Sequence, residues 1–118
     1  MADIKIKRIY DAPEKTDGFR ILVDRLWPRG IKKENAHIDM WMKEVAPSTE
    51  LRKWFNHDPE KWMQFIADYT KELKHSDVVK DILEQIKQQG IVTLLYGAKD
   101  EQHNQAIVLQ RFLKTLVK

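Results

Sequence analysis

Two arginines flank a tryptophan and a proline in the segment 24–30, which reads DRLWPRG. The run before it, residues 21–23, is apolar and favours a β-strand, while a proline and a glycine prevent that strand from continuing. We therefore expect Arg25 and Arg29 to project near the carboxyl end of a strand, where open α/β sheets bind ligands. Guanidinium groups in that position favour a phosphate or a carboxylate.

A second polar segment, residues 98–104, follows the apolar run 91–96 and precedes a predicted helix. Lys99, His103 and Asn104, together with the N–H groups of a helix terminus, would bind an oxyanion. The imidazole would also exchange a proton near neutral pH. The alternative is a solvated first turn of the helix, with His103 exposed.

Asp24 stands at the end of an apolar run, so its carboxylate needs a partner. It either orients one of the two arginines or acts beside His103 in acid–base catalysis. The competing interpretation of the arginines is structural: Arg25 and Arg29 pair with Asp24 or Glu34 and fasten the turn.

Three further side chains are candidates for the rim of the same site. Trp27 lies between the two arginines and is suited to contact a ligand ring, whereas Trp54 and Trp62 fit the core positions of predicted helices. Arg8 and Tyr10 end the first predicted strand, and they either join the rim or form an ordinary exposed strand end.

Composition narrows the class of protein. The chain has 118 residues, of which 42% are hydrophobic and 33% charged, the balance of one globular domain with a single core. It has no cysteine, which excludes disulfides and thiolate chemistry and is typical of a reducing compartment. The amino terminus shows no signal-peptide core, and no run approaches the roughly 20 apolar residues that cross a bilayer. We expect a cytoplasmic protein with no membrane partner, in an oligomeric state that the sequence leaves open.

The order of elements predicts an α/β fold. Strands are predicted at residues 4–10, 19–26, about 38–42 and 91–96. Helices are predicted from Ser48 to about 56, from Asp58, from Ser76 to Gly90, and from about 101 to 117 with Asp100 as its cap. Residues 1–118 then form one domain, a small sandwich whose mainly parallel sheet of about three to four short strands is flanked by helices.

The net charge of +3 is distributed unevenly. Residues 1–35 hold nine Lys or Arg against six acidic residues, and residues 91–118 hold four against two. If both ends share a sheet, they form a positive cleft that suits a small anion or a nucleotide better than a long nucleic-acid track.

Other catalytic and metal-binding patterns are missing from the sequence. Ser48 and Ser76 are predicted helix caps, which disfavours a serine nucleophile. The four histidines show no pair at helical metal-ligand spacing, and no glycine-rich phosphate loop occurs. We therefore assign no metal and no cofactor.

Several motifs, in order along the chain, resemble one known family. They are KRIYD at 7–11, DGFRILVDRLWPRG at 17–30, APS at 46–48, LRKWF and HDP within 51–59, and VTLLY through KD to HN within 92–104. On these motifs the chain is identified as a member of the YeaO-like branch of the domain-of-unknown-function 488 family. The resemblance implies a small cytoplasmic bacterial α/β protein and no particular reaction. More distant members carry a Cys-His-Arg-type turn where this chain has His103 and Asn104, so the resemblance implies a polar cleft without thiol chemistry.

Two functions are consistent with these observations. In the first, Arg25, Arg29, Lys99 and His103 bind a small molecule that bears a phosphate or a carboxylate, with His103 and Asp24 as acid–base catalysts if the protein is an enzyme. In the second, the chain is a nucleic-acid-binding or regulatory interaction module without catalysis.

Overall fold

The computed structural model describes residues 3–117. Within them four parallel strands form one sheet: β1 (Asp3–Arg8), β2 (Phe19–Leu22), β3 (Met40–Trp41) and β4 (Ile91–Tyr96). The strands lie in the spatial order β1-β4-β2-β3. Because all four run in the same direction, their carboxyl ends meet at one edge of the sheet. The predicted α/β fold with a parallel sheet is confirmed.

Five α-helices occur in the described range: α1 (Lys33–Ala36), α2 (Thr49–Phe55), α3 (Trp62–Lys74), α4 (Val78–Gln89) and α5 (Gln105–Leu116). Single 3₁₀ turns lie at Lys15–Asp17, Lys43–Val45 and Pro59–Lys61. None of the described helices has the length and apolar character of a membrane span.

Strand β4 is central to the core on both faces of the sheet, as its nearly continuous apolar sequence predicts. Val92, Leu94 and Tyr96 belong to the larger core, to which α2 to α5 contribute their apolar sides. Leu95 points the other way and packs with Leu22 in a smaller cluster. Loop side chains between residues 27 and 41 cover that smaller cluster, so the long helices lie on one face of the sheet.

The turn before β2 requires a glycine. Gly18 has a φ of +66°, and a Cβ placed there would lie 2.4 Å from the carbonyl oxygen of Ile91. The absence of a side chain lets the start of β2 approach the start of β4 closely.

A buried ion pair lies next to this turn, at the amino end of the sheet. Asp17 and Arg20 are both buried, and Asp17 Oδ2 lies 2.5 Å from Arg20 Nη1. Lys7 Nζ lies 3.2 Å from the other carboxylate oxygen. Arg20 also donates to the carbonyl groups of Ala36 and His37. The pair therefore ties β1, β2 and the segment around α1 together.

Two strands end earlier than predicted. β1 ends at Arg8 and β2 at Leu22, although the next N–H groups, those of Ile9 and Val23, still donate to carbonyls of β4 at 2.8 and 3.0 Å. Beyond them the chain turns away to build loops over the edge of the sheet. The third strand is reduced to Met40–Trp41.

Helix starts are corrected at three places. The helix predicted from Asp58 begins as α3 only at Trp62, after a 3₁₀ turn at Pro59–Lys61 that the Asp58 side chain caps by accepting the N–H of Glu60. Asp77 is the N-cap of α4, so Ser76 does not cap that helix; its N–H donates to Leu73 and extends the end of α3. Helix α5 begins only at Gln105, with Asn104 as its N-cap in place of the predicted Asp100. The predicted cap of α2 is confirmed, because the Ser48 side chain accepts the N–H of Leu51, and Gly90 ends α4 as predicted.

Trp54, which was predicted to face the core, is 41% exposed and lies beside the ammonium group of Lys61. The apolar face of α2 is therefore narrower than its sequence suggests, with Leu51 and Phe55 as its buried members.

Candidate functional site

A cavity of about 430 Å³ opens at the carboxyl edge of the sheet. Its walls come from the segments that follow β1, β2, β3 and β4, together with α2 and the loop after it. Pockets of this size hold small organic molecules in other proteins.

Five basic side chains line this cavity against one acidic side chain. The acidic residue is Asp24, and the basic residues are Arg25, Arg29, Arg52, His57 and His103. The two polar segments that the sequence singled out, 24–30 and 98–104, thus contribute to the same cavity.

Arg25 is held by main-chain carbonyls instead of a carboxylate. Its Nε and Nη2 atoms donate to Pro47 at 3.3 Å, and Nη2 also donates to Ala46 at 3.2 Å. None of the ion pairs formed among residues 3–117 includes Arg25, Arg29 or Arg52. The structural alternative, in which the turn arginines pair with neighbouring acids, is therefore not observed.

Tyr10 and Arg8 fasten the turn that carries Arg29. The Tyr10 hydroxyl donates to the carbonyl of Arg29 at 2.9 Å, and its ring lines the cavity. Arg8 donates from Nε to the carbonyl of Ala98 at 3.0 Å, and its guanidinium lies 5.0 Å from the centre of the Tyr10 ring. Tyr10 thus belongs to the cavity wall, whereas Arg8 lies outside the lining and supports it.

Trp27 lines the cavity in a fixed orientation. Its indole N–H donates to Ile31 at 2.7 Å, and its ring meets Trp41 edge-on with 5.4 Å between centres. The Trp41 N–H in turn donates to the carbonyl of Asp24 at 2.7 Å. Trp27 also packs against the smaller core cluster, and the Lys33 ammonium group lies 6.0 Å from the centre of its ring.

Asp24 ties together the ends of β2, β4 and the start of α5. Its Oδ2 accepts the N–H of Gly97 at 2.8 Å, and its Oδ1 accepts the side-chain amide of Gln105. A Cβ at position 97 would lie 2.9 Å from Oδ2, so the approach needs a glycine. Of its two predicted roles, that of orienting an arginine is wrong: its partners are a backbone N–H and a glutamine.

The buried position of Asp24 has an electrostatic consequence. Burial raises the pKa of its carboxyl to about 6, against the opposing effects of the Gly97 and Gln105 hydrogen bonds and of the His57 charge. This carboxyl therefore changes its charge in a pH range where most carboxylates are fully ionised.

His103 is paired with Asp100 and not with Asp24. Its Nδ1 lies 2.9 Å from Asp100 Oδ2, and its ring meets Trp62 edge-on at 5.3 Å between centres. Hydrogen bonds from the Gln102 N–H and from His103 hold the pKa of Asp100 below its usual value. The i, i+3 spacing of Asp100 and His103 is a signal for this pair that the sequence analysis missed.

The other two predicted residues of this loop have different positions. Asn104 is buried and lines the cavity, but its side chain is used within the protein: Oδ1 accepts the N–H of Ile107, and Nδ2 donates to the carbonyl of Asp100. Lys99 is exposed and lies outside the cavity lining.

Eleven of the residues that line the cavity were not predicted as site residues, and four of them come from α2, the loop after it and α3. Arg52 and Phe55 come from α2, His57 follows that helix, and Phe65 lies on α3. The sequence shows that α2 is amphipathic but not that it crosses the carboxyl edge of the sheet. His57 has a φ of +56° and lies in a left-handed turn, a conformation that polar loop residues adopt more readily than bulky ones. In the sequence, the available signal is a polar residue just after the predicted end of α2.

Among residues 3–117, no group of three or more His, Asp or Glu side chains is placed to hold a metal ion.

Comparison with known proteins confirms the family. The family described as "Inactive DUF488-N3 subclade" matches residues 3–118. The chain is 46% identical over 114 residues to the uncharacterized protein YeaO of Escherichia coli (strain K12), covering 97% of this chain and 99% of that protein. It is 36% identical over 110 residues to the uncharacterized protein Mb3100c of Mycobacterium bovis, covering 93% of this chain and 92% of the relative. No solved structure matches it. The chain therefore belongs to the DUF488 family, within its inactive DUF488-N3 subclade.

Proposed function

We propose that this chain is a binding protein, which holds a small organic anion bearing a phosphate or a carboxylate in the cavity at the carboxyl edge of the sheet. The proposal rests on the surroundings of the Arg25 guanidinium. This guanidinium is partly buried and lies against neutral carbonyls, with no carboxylate oxygen from residues 3–117 within 4.0 Å.

A partly buried guanidinium with no carboxylate in ion-pair contact is unfavourable, and an anion in the cavity would reduce that cost. Arg29 and Arg52 lie on the same lining and are exposed, so they can approach the ligand from the rim. His103 is held at Nδ1 by Asp100, which leaves Nε2 for the ligand. Together these groups would surround an anion with several charge-assisted donors.

Binding is supported better than catalysis. The two predicted acid–base groups, His103 and Asp24, have separate partners and do not hydrogen-bond each other. Among the described residues, the cavity lining contains no Ser, Thr, Cys or Lys that would act as a nucleophile. The description of the matching family as inactive agrees with a binding role.

A cytoplasmic location is part of the proposal. The absence of cysteine from the whole sequence supports a reducing compartment, where small organic phosphates and carboxylates are available.

Isothermal titration with ribose 5-phosphate and with inorganic phosphate tests this function. We expect Arg25→Gln to weaken binding of ribose 5-phosphate by at least about tenfold, because a charged hydrogen bond is lost. Arg111→Gln is the matched control, since Arg111 is an exposed arginine of α5 outside the cavity lining. It removes the same charge and should leave the affinity unchanged.

Two results would contradict the proposal. One is the absence of binding of either probe to the wild-type protein at low salt. The other is tight binding of DNA or RNA oligonucleotides, steeply reduced by salt and undiminished in Arg25→Gln, which would favour a nucleic-acid surface elsewhere on the molecule.

A further inference from the structure

We infer that the cavity selects anions whose body is a planar aromatic ring with an N–H donor, such as a nucleoside monophosphate, over anions with a small aliphatic body. This inference rests on the proposed anion-binding function and names the class of ligand for that same site.

Exposed basic residues and buried aromatic residues lie at different depths of the cavity. Arg29, Arg52 and His57 are exposed and therefore lie at the rim, whereas Phe55 and Phe65 are buried and form the floor. Three of the five basic side chains thus lie at the mouth, and the apolar surface of Phe55 and Phe65 lies deeper. A ligand that matches both regions has an anionic end and an apolar body.

The cavity as a whole is too large for an oxyanion alone. Its volume of about 430 Å³ is in the range that holds a drug-sized molecule. Four aromatic residues line it, of which Tyr10 is exposed and Phe55 and Phe65 are buried; the fourth is Trp27. Phe55 and Phe65 stack on each other, with 4.2 Å between ring centres.

Trp27 is the aromatic residue best prepared to contact a ligand ring. Its indole is fixed by the hydrogen bond to Ile31 and by Trp41, so little side-chain freedom is lost on binding. It also lies between Arg25 and Arg29 in sequence, which places aromatic and cationic groups on one turn. Stacking on a fixed indole favours planar rings over flexible chains.

Asp24 is a half-buried acidic residue of the cavity lining. The two oxygens of Asp24 accept one hydrogen bond each, from Gly97 and Gln105, and a carboxylate has about four acceptor positions. The side chain of Asn104, by contrast, is used in capping α5. The unused acceptor capacity of Asp24 suits a ring that carries an N–H donor.

The inference is tested by isothermal titration of the wild-type protein with adenosine 5′-monophosphate, with ribose 5-phosphate and with purine riboside 5′-monophosphate, which lacks the exocyclic amine. We expect the adenine nucleotide to bind at least about tenfold more tightly than ribose 5-phosphate, because the ring is stacked. We expect removal of the amine to weaken binding by about fivefold, because a hydrogen bond to Asp24 is lost.

The Trp27→Leu variant tests whether the aromatic ring of the ligand stacks on the Trp27 indole. This substitution should abolish the preference for the nucleotide and leave the affinity for ribose 5-phosphate unchanged. Trp54→Leu is the matched control, because Trp54 is exposed on α2 and does not line the cavity. If Trp27→Leu fails to fold, the comparison of the three probes on the wild-type protein still decides the question.

Equal affinities for the nucleotide and for ribose 5-phosphate, both reduced by Arg25→Gln, would overturn the ring preference and leave the anion-binding function standing. Absence of binding of all three probes would overturn both. Nucleotide binding that survives Arg25→Gln and Trp27→Leu would show a ring-binding surface outside this cavity and would also overturn the inference.

Discussion

The environment of Asp24 differs from that of an ordinary surface carboxylate. It accepts hydrogen bonds from Gly97 and Gln105 in a largely buried position, and burial raises its pKa to about 6. The sequence indicates that this carboxylate needs a partner but does not identify the partner. Gly97 and Gln105 are 73 and 81 positions away, so they are brought near only by the pairing of β2 with β4.

Asp24→Asn should stabilise the protein above about pH 6. The folded state binds the Asp24 proton more tightly than the unfolded state, whose pKa is near the ordinary 3.8, so stability falls as pH rises between these values. An asparagine removes the ionisation while its oxygen still accepts the Gly97 N–H. We expect a gain of about 1 to 3 kcal/mol at about pH 8 in urea unfolding.

The pH profile checks the cause of that gain. The advantage of Asp24→Asn should shrink as the pH is lowered through 6 and disappear near 3.8. A variant that is less stable than the wild type at all pH values would show that the ionised Asp24 contributes favourably, contrary to this account.

At the scale of elements, the start of α5 determines how the loop after β4 lies over the sheet. Asn104 caps the helix by accepting the N–H of Ile107, and it also donates to Asp100, which in turn holds His103. The capping residue therefore connects the helix to the imidazole of the candidate site.

Asn104→Ala should cost about 1 kcal/mol or more of stability, because an N-cap hydrogen bond and a buried polar contact are lost. Ser76→Ala is the matched control. Ser76 was predicted to cap α4, but the N-cap of that helix is Asp77, so the change should stay within about 0.5 kcal/mol. Thermal unfolding of both variants measures this, and equal losses would contradict the assignment of the caps.

The sequence predicted the elements themselves better than their ends. The apolar run of β4 and the Gly90 stop of α4 are local signals, and both elements lie where expected. The starts of α4 and α5 were misplaced because each is preceded by two polar residues able to cap, Ser76 and Asp77, or Asp100 and Asn104. The sequence does not decide which residue of each pair takes the N-cap position. Asn104 caps α5 through its side chain, whereas Asp77 holds the N-cap position of α4 without a side-chain hydrogen bond.

At the scale of the whole molecule, two carboxylates at opposite edges of the sheet respond to pH with opposite signs. Burial alone would raise the pKa of Asp17, but hydrogen bonds from Glu14, Lys7 and Arg20 outweigh it and leave the pKa below 3.8. Asp17 therefore contributes stability above that value and loses the contribution at lower pH. Asp24 has the opposite effect: because its pKa is raised to about 6, its contribution to stability falls as the pH rises above 3.8.

Asp17→Asn should destabilise the protein by about 3 to 5 kcal/mol at neutral pH, because the buried Arg20 then loses its counter-charge. The loss should become smaller as the pH falls below 3.8, where the wild-type carboxylate itself is increasingly protonated. Asp11→Asn, an exposed loop position, serves as the control in urea unfolding. A loss at neutral pH no larger than that of the control would contradict the structural role of the pair.

The candidate site illustrates the limit of sequence reasoning at this scale. Arg25, Arg29 and His103 were expected to meet because they follow strands of one parallel sheet, and they line one cavity. Arg52 and His57 were missed because their contribution depends on how α2 packs across the sheet edge. Lys99 was included because of its charge, but its loop directs it outside the lining.

The cavity wall has a thermodynamic consequence for the fold. It is assembled from residues between Tyr10 and Gln105, contributed by segments that are distant along the chain. No single fragment contains it, so a molecule that occupies it binds only the complete native state. At 100 times its dissociation constant such an occupant would add about 2.7 kcal/mol to the free energy of unfolding of the entire domain. Occupancy would thus slow proteolysis that proceeds through unfolding of the entire domain, even where the cleaved bond lies far from the sheet edge.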